Sequence, residues 1–550
     1  MEKWKGFRVS TMDKILINGV IHTMAGRTVS ALAIRNGHIA LAGSDREALA
    51  LRTADTEVID LRKSCVLPGF TDSHMHMFLT GRSFERLDLR GVRSPEEIVR
   101  RGRDYIRSRH VPAGAWVVGY GYDHNQFPNP VLPDGKVAQA ISAEHPVLLD
   151  RICGHVGAAN PMALRLAGFG PDTMIPGGEL DKDGTGNLTG VIREAALDLI
   201  KTFEPKPAKE ELECILQEAG RRFAAAGLTA VHSDDLCPEG TDWDTLRAAV
   251  SDLETQGKCQ VRIYEEWEAP HPEQLRPILK QGLYSGWGDD WLRLANIKLI
   301  TDGSLGARTA FLRAGYQDEA ENRGIPVYTQ QELDEMTALC HNRGLQVAFH
   351  AIGDGALEQC VNAVEKAMAA APKPLRHRIV HCQIGDRGLY RRMAALGMGA
   401  DIQPPFTVSD GPLVEPRLGP ERAAESYAWR TLLDCGISLG GGSDSPVESY
   451  KPLWGIYCAV TRRCGTDSLP WLPEQRLSVR QAVSLYTSGP AWLAHAEDRT
   501  GTLEAGKLAD LVVLDRDIFT VQPEEIKNLR VLRTMAGGRV TWNAEESGGQ

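Results

Sequence analysis

Residues 69–76 read GFTDSHMH, and they place His74 and His76 one residue apart where the apolar run Val66-Leu67-Pro68 gives out. In a strand, residues i and i+2 point to the same face, so both imidazoles project into one space. Two neutral ring nitrogens held side by side are one way to grip a metal ion. Two solvated histidines in a turn would give the same eight letters. The rest of the chain decides between these readings.

Working outward, strand-like apolar runs recur: GLTAVHSDD at 227–235, CQVRIYEEW at 259–267, LANIKLITDGS at 294–304, GLQVAFHAIGD at 344–354, HRIVHCQ at 377–383, GMGADIQPP at 397–405 and GISLGGGSDSP at 436–446. Amphipathic helical patterns, such as 208–226 and 329–344, lie between them. With a first strand at 66–74, this is an eightfold β–α alternation. Near-continuous apolar strands joined by helices predict a closed parallel (β/α)8 barrel of the TIM type over 66–489. The interval 78–226 is too long for one crossover and predicts an inserted α/β subdomain.

The two ends read differently. Residues 13–43 are short apolar runs broken at Asn18-Gly19, Ala25-Gly26 and Asn36-Gly37, which are hairpin signals for a small antiparallel sheet. GTLEAGKLADLVVLDRD at 501–517 and VLRTMAGGRVTW at 531–542 have the same style. One composite β-sandwich domain, built from 1–65 and 490–550, is the expected arrangement.

Composition narrows the function. The chain has 550 residues, 42% hydrophobic and 24% charged, values ordinary for a globular protein too long for a single core. A net charge of -10 without a basic run argues against nucleic acid or an anionic membrane as partner. The 11 cysteines are scattered without CxxC pairs, which suits reduced thiols and a cytoplasmic setting. MEKWKGFRVSTMDK lacks the apolar core of a secretory leader, and no run is long enough to span a bilayer. A small-molecule substrate is the expected partner, with a homodimer compatible and no membrane or nucleic acid.

Catalytic groups of such barrels sit at the C-terminal ends of the strands. Reading only those ends yields His74 and His76 on strand 1, His232 on strand 2, Lys298 on strand 4, His350 on strand 5, His381 on strand 6 and Asp444 on strand 8. Five of the 15 histidines fall there. A lone histidine on an apolar run is more often a satisfied core group, but this many metal-capable groups on one face argue for a metal centre.

These residues resemble the amidohydrolase superfamily of metal-dependent hydrolases. More narrowly, IKLITDGSLGARTA, HAIGDGAL, RHRIVH, LGGGSDSPVES and GTLEAGKLADLVVLD resemble its YtcJ-like branch, to which N-substituted formamide deformylase belongs. The resemblance spans nearly the whole chain and implies a TIM-type barrel, a β-sandwich from both termini, a zinc-type centre and hydrolysis of an amide-like C–N bond. Val380 departs from the pattern, because relatives often carry Glu before the strand 6 histidine.

In this reading His74, His76 and Asp444 hold one divalent metal, most simply Zn2+. His350 and His381 hold a second ion, or orient substrate if one ion is bound. Lys298 joins them as an N6-carboxylysine: a buried lysine loses its proton readily, adds carbon dioxide and becomes an anionic oxygen ligand. The plainer reading of Lys298 is an ion pair with Asp302. Asp444 is the catalytic proton acceptor; the same SDSP would also suit a helix N-cap. His155, His232, Asp302 and Arg308 are the expected substrate-binding residues, each with a structural alternative in a turn, a strand or a rim ion pair. Lactone or phosphoester hydrolysis on the same centre, or a metal-binding barrel without catalysis, remain the competing functions.

Overall fold

The apolar stretch at 65–75 is two strands with different partners. In the computed structural model, which describes residues 12–151, 156–175, 178–237, 240–463 and 469–547, Cys65–Pro68 pairs antiparallel with Leu511–Leu514 and parallel with Val20–His22. Phe70–Met75 (β1) instead pairs in parallel with Leu228–Leu236 (β2). Gly69 is the joint. A Cβ there would stand 2.2 Å from Thr229 Oγ1, so a side chain would push β1 and β2 apart. The barrel therefore starts at residue 70 and not at 66.

The remaining barrel strands are Arg262–Glu268 (β3), Leu292–Ile300 (β4), Val347–Ala351 (β5), Arg378–His381 (β6), Gly399–Ile402 (β7) and Ser438–Gly441 (β8). Each pairs in parallel with the next, giving one eight-stranded sheet in chain order. The ends of the sheet meet: Asp444 N donates to His74 O at 2.8 Å, and a Cβ on Gly440 would lie 2.6 Å from Ser73 Oγ. The fold is a nearly closed TIM-type barrel. Its strands are buried along almost their whole length, as parallel strands covered on both faces must be. The helices fall where the patterns put them, at Lys209–Ala225 and Gln330–Asn342, the latter opened by a Thr329–Glu332 capping box.

The terminal strands interleave. A six-stranded sheet runs Arg539–Asn543, Val531–Ala536, Leu511–Leu514, Cys65–Pro68, Val20–His22, Thr28–Val29. A four-stranded sheet runs His38–Gly43, Ala31–Arg35, Lys14–Ile17, Glu57–Asp60. Leu16 and Ile34 of the second share a buried core with Val66, Leu511, Val513 and Met535 of the first. Residues 13–43 are thus divided between two sheets and do not make one small sheet. Asn36, at φ 51°, turns a hairpin as expected, whereas Asn18, at φ 57°, sends the chain from one sheet to the other. Asp510 ties these sheets to the barrel through Arg262 Nε and Nη2, at 2.7 and 2.9 Å, both side chains being buried.

A second compact unit comprises 78–215 with 238–245. Its six-stranded mixed sheet has the order Gly178–Lys182, Leu188–Glu194, Val156–Ala159, Val147–Arg151, Val117–Tyr122, Leu87–Asp88. The helix Pro95–Arg109 covers one face through Ile98. Tyr122 is fully buried in that core, and Trp116 packs in a neighbouring apolar cluster. The unit ends at Ile215, partway along the helix Lys209–Ala225, and not at the helix end near 226.

Candidate metal centre

Strand periodicity puts His74 and His76 on one face of β1, and the chain leaving β8 brings Asp444 to them. His74 Nε2 and His76 Nε2 lie 3.4 and 3.3 Å from Asp444 Oδ1. One donor atom from each residue falls within 4.8 Å of the other two. Asp444 and His381 both take left-handed backbone, φ 55° and 74°, a costly conformation for residues with side chains.

The far sides of the rings fix which nitrogen faces the cluster. His76 Nδ1 donates to Asp234 O at 2.9 Å, and His74 Nδ1 faces Glu266 Oε2 at 2.9 Å. With Nδ1 engaged on its far side, each Nε2 faces the Asp444 carboxylate, and a proton or a metal ion has to stand between them. Three electron-rich atoms facing one another require a positive charge among them. The ionisation of the cluster says the same. Burial alone would depress His76, yet the Asp444 and Asp234 carboxylates push it up to about 10. Burial likewise opposes ionisation of Asp444, but its bonds to His74 and His76 hold it well below the usual carboxylate range. The donor set fits a divalent cation of the kind that takes imidazole and carboxylate together.

His350 and His381 make a second pair, His350 Nδ1 to His381 Nε2 at 3.0 Å. His350 Nε2 donates to Gly303 O at 3.2 Å, and His381 Nδ1 donates to Gln403 Oε1 at 2.8 Å. These two bonds leave two lone pairs pointed at each other, again a cation's place. Burial, reinforced by the Lys298 charge, brings His350 down to about 4 and keeps it neutral. Burial, with His350 beside it, holds His381 well below the usual histidine value. The rings of His74 and His381 are 5.7 Å apart, so the two pairs stand side by side.

Lys298, on β4 and 1% exposed, aims its amine into the same space. Nζ is 3.2 Å from His74 Nε2, 3.6 Å from Asp234 Oδ2 and 3.7 Å from Glu266 Oε2. Its acidic neighbours are therefore Asp234 and Glu266, and the alternative partner Asp302 is not among them. Asp302 instead receives the backbone N–H groups of Ile352, Gly353 and Phe311 at 3.1, 2.8 and 2.9 Å, bracing the loop after β5. Burial pushes it up to about 7 against those bonds.

His232 and Arg308, also expected to bind substrate, have protein partners of their own. β2 runs on to Leu236, so His232 lies within the strand and not at its end. It is fully buried, accepts a hydrogen bond from Arg378 Nη1 at 2.9 Å, and stays neutral through burial and the Arg378 charge. Arg308, at φ 58°, spends its charge on Asp318 and Glu319 at 2.8 and 3.1 Å. His155 lies outside the described residues.

Sequence reading missed the layer beneath the ligands. Glu266 on β3 and Arg378 on β6 are fully buried and bonded to each other, and Arg378 Nε is 3.3 Å from Asp401 Oδ2. The signal was present as charges inside the apolar runs CQVRIYEEW and HRIVHCQ. A charge on an inward-facing strand position must find a partner there.

The amidohydrolase family profile matches residues 57–542. The chain is 34% identical over 542 residues to YtcJ of Bacillus subtilis, covering 96% of this chain and 99% of that one. It is 26% identical over 550 residues to N-substituted formamide deformylase of Arthrobacter pascens, covering 96% and 97%. The crystal structure of an uncharacterized metal-dependent hydrolase from Pyrococcus horikoshii superposes with a TM-score of 0.79 at 31% identity, over 93% of this chain and 99% of that one. The chain belongs to the amidohydrolase family, in its YtcJ-like branch, and is a hydrolase of carbon–nitrogen bonds other than peptide bonds.

Proposed function

We propose that this protein hydrolyses an amide, N-formyl or cyclic-amide C–N bond of a small molecule at the β1–β8 mouth of its barrel. The observation that carries the reading is the convergence of His74 Nε2, His76 Nε2 and Asp444 Oδ1, with both far ring nitrogens already engaged. Zinc is the proposed ion, held by these three, with His350 and His381 holding a second. A bound divalent metal supplies acidified water and Lewis-acid polarisation of a carbonyl. The chain supplies the rest. The Asp444 carboxylate, through the oxygen not engaged with the metal, would accept the proton of the attacking water and return it to the leaving nitrogen. Glu266 and the Asp234 carbonyl keep the β1 imidazoles in register. Lys298 is proposed as an N6-carboxylysine: once deprotonated, its Nζ would bond to the carbon of CO2 and release a further proton to solvent, leaving a carbamate whose two oxygens share one negative charge and could serve as metal ligands.

The same proposal takes the two terminal sheets as one composite β-sandwich and 78–215 as an inserted subdomain. A cytoplasmic setting is proposed on the scattered cysteines, none of which is in a disulfide among the described residues. No helix among them is long and apolar enough to cross a membrane.

The test is a panel of N-formyl amines, N-acyl amines, cyclic amides, lactones and phosphotriesters, assayed with zinc-loaded protein and with Asp444→Asn. N-formyl amines come first because a full-length relative is a formamide deformylase. Turnover of an amide-type member that Asp444→Asn abolishes is expected. Turnover confined to lactones or phosphotriesters would overturn the reading.

A further inference from the structure

A second group of ligand-type side chains lies in the terminal sheet and shares no residue with the barrel centre. His22 ends Val20–His22, Cys65 begins Cys65–Pro68, and Asp517 follows Leu511–Leu514; these are three adjacent strands of one sheet. His22 Nε2 is 3.0 Å from Asp517 Oδ1, Cys65 Sγ is 3.7 Å from the same oxygen, and all three donor atoms fall within 4.8 Å of one another. Ligands bonded at about 2.0–2.3 Å around a tetrahedral ion stand roughly 3.3–3.8 Å apart, so the spacing is close to that of a filled site. The other ring nitrogen of His22 faces Thr28 Oγ1 at 3.2 Å, the outer hydrogen bond that orients a ligating imidazole. Asp517 Oδ1 is held by the Phe519 N–H at 3.0 Å, and the Phe519 ring packs edge-on against His22 at 4.5 Å. His22 is thus oriented through its outer ring nitrogen and Asp517 Oδ1 is held by a backbone N–H, while the three donor atoms converge.

We propose that His22, Cys65 and Asp517 form a separate metal site for a zinc-class divalent ion, clamping strands from both ends of the chain. Thiolate, imidazole and carboxylate together select zinc over magnesium or calcium, and water completes four ligands. Burial, with Asp517 beside it, pushes the Cys65 thiol up to about 12, so without an ion the sulfur keeps its proton. On binding, the S–H bond breaks, its proton passes to solvent, and the sulfur electron pair forms the metal bond. The ion joins residues 22 and 65 to residue 517 and so holds the C-terminal strands in the sheet.

The site can be read separately from the barrel because only this one contains sulfur. Full-length protein stripped with chelator is titrated with Co2+, following sulfur-to-cobalt charge-transfer absorption in the near ultraviolet. The expected result is a band whose final intensity corresponds to one cobalt–thiolate bond per chain, persists in Asp444→Asn, and is absent in Cys65→Ser. No band in the wild type, or an unchanged band in Cys65→Ser, overturns the proposal. Should Cys65→Ser not fold, zinc-edge X-ray absorption on the wild type decides. A sulfur neighbour at about 2.3 Å supports the site, and a shell of nitrogen and oxygen alone overturns it.

Discussion

Glu266 Oε2 lies 2.9 Å from His74 Nδ1, while its other oxygen takes Arg378 and, at 3.1 Å, Asn296 Nδ2. A fully buried carboxylate thus links a ligand-type histidine of β1 to a buried arginine of β6. Burial resists its ionisation, but Arg378 and His74 hold it well below the usual carboxylate range. It stays charged, and the His74 ring stays turned with Nε2 toward Asp444.

Glu266→Gln tests that link. The amide keeps the shape but removes the charge that fixes the His74 tautomer. Metal affinity should fall about 10–100-fold, with turnover recovered in part at high metal concentration. Unchanged affinity in a metal titration would show that His74 needs no such partner.

The chain ends should be essential to stability though they carry none of the barrel ligands. Deleting 500–543 removes Leu511–Leu514 from beside Cys65–Pro68 and leaves the buried Arg262 without Asp510. Loss of soluble protein is expected. Asp510→Asn isolates the ion pair and should cost about 3–5 kcal/mol in denaturant unfolding, because an unpaired buried charge remains. Unfolding midpoints equal to wild type in both would contradict the interleaved sheet.

Acid should weaken the fold through His377. This buried ring accepts the Val347 N–H on Nδ1 at 2.9 Å and faces His341 Nδ1 at 2.9 Å through Nε2. Burial, then the neighbouring His341 and His495, lower it to about 3. In the unfolded chain it gains a proton near 6.5, so its contribution is fully present above that pH. It is lost as pH falls from 6.5 toward 3, by up to about 1.4 kcal/mol per unit. His377→Gln should lower stability at pH 7.5 yet show a shallower decline between pH 6.5 and 5, read from unfolding midpoints. Parallel declines would remove His377 from the account.

Lys298 distinguishes a carbamate from an ion pair. Lys298→Ala should lose metal and most activity, and acetate supplied with metal should restore part of both by replacing the missing oxygens. Lys298→Arg should not be rescued, since guanidinium neither loses its proton nor adds CO2. Arg tolerated, with acetate inert on the Ala variant, would favour a plain pair with Asp234 and Glu266.

Much of this was legible because period and spacing are local. The eight strand positions follow from apolar runs, and GFTDSHMH places its two imidazoles on one face without knowledge of anything else. Asp444 could be placed beside the β1 histidines, and His381 near them, because strand ends converge in any closed barrel. Where a strand stops is less local. β2 continues to Leu236 through Ser233, Asp234 and Asp235, polar residues buried there, so His232 falls inside the barrel. The break at Gly69 escaped notice because the contact that requires it comes from Thr229, far along the chain. Glu266 and Arg378 were passed over for the same reason: each looks misplaced alone and is explained only by the other.

The most direct measurement of the central claim is turnover of an N-formyl or N-acyl substrate by protein stripped of metal and then titrated with zinc. Wild type should lose activity on stripping and regain it on titration. Asp444→Asn, with unchanged circular dichroism, should regain none. Full turnover by stripped protein, or a metal-restored Asp444→Asn, would contradict a centre built on His74, His76 and Asp444.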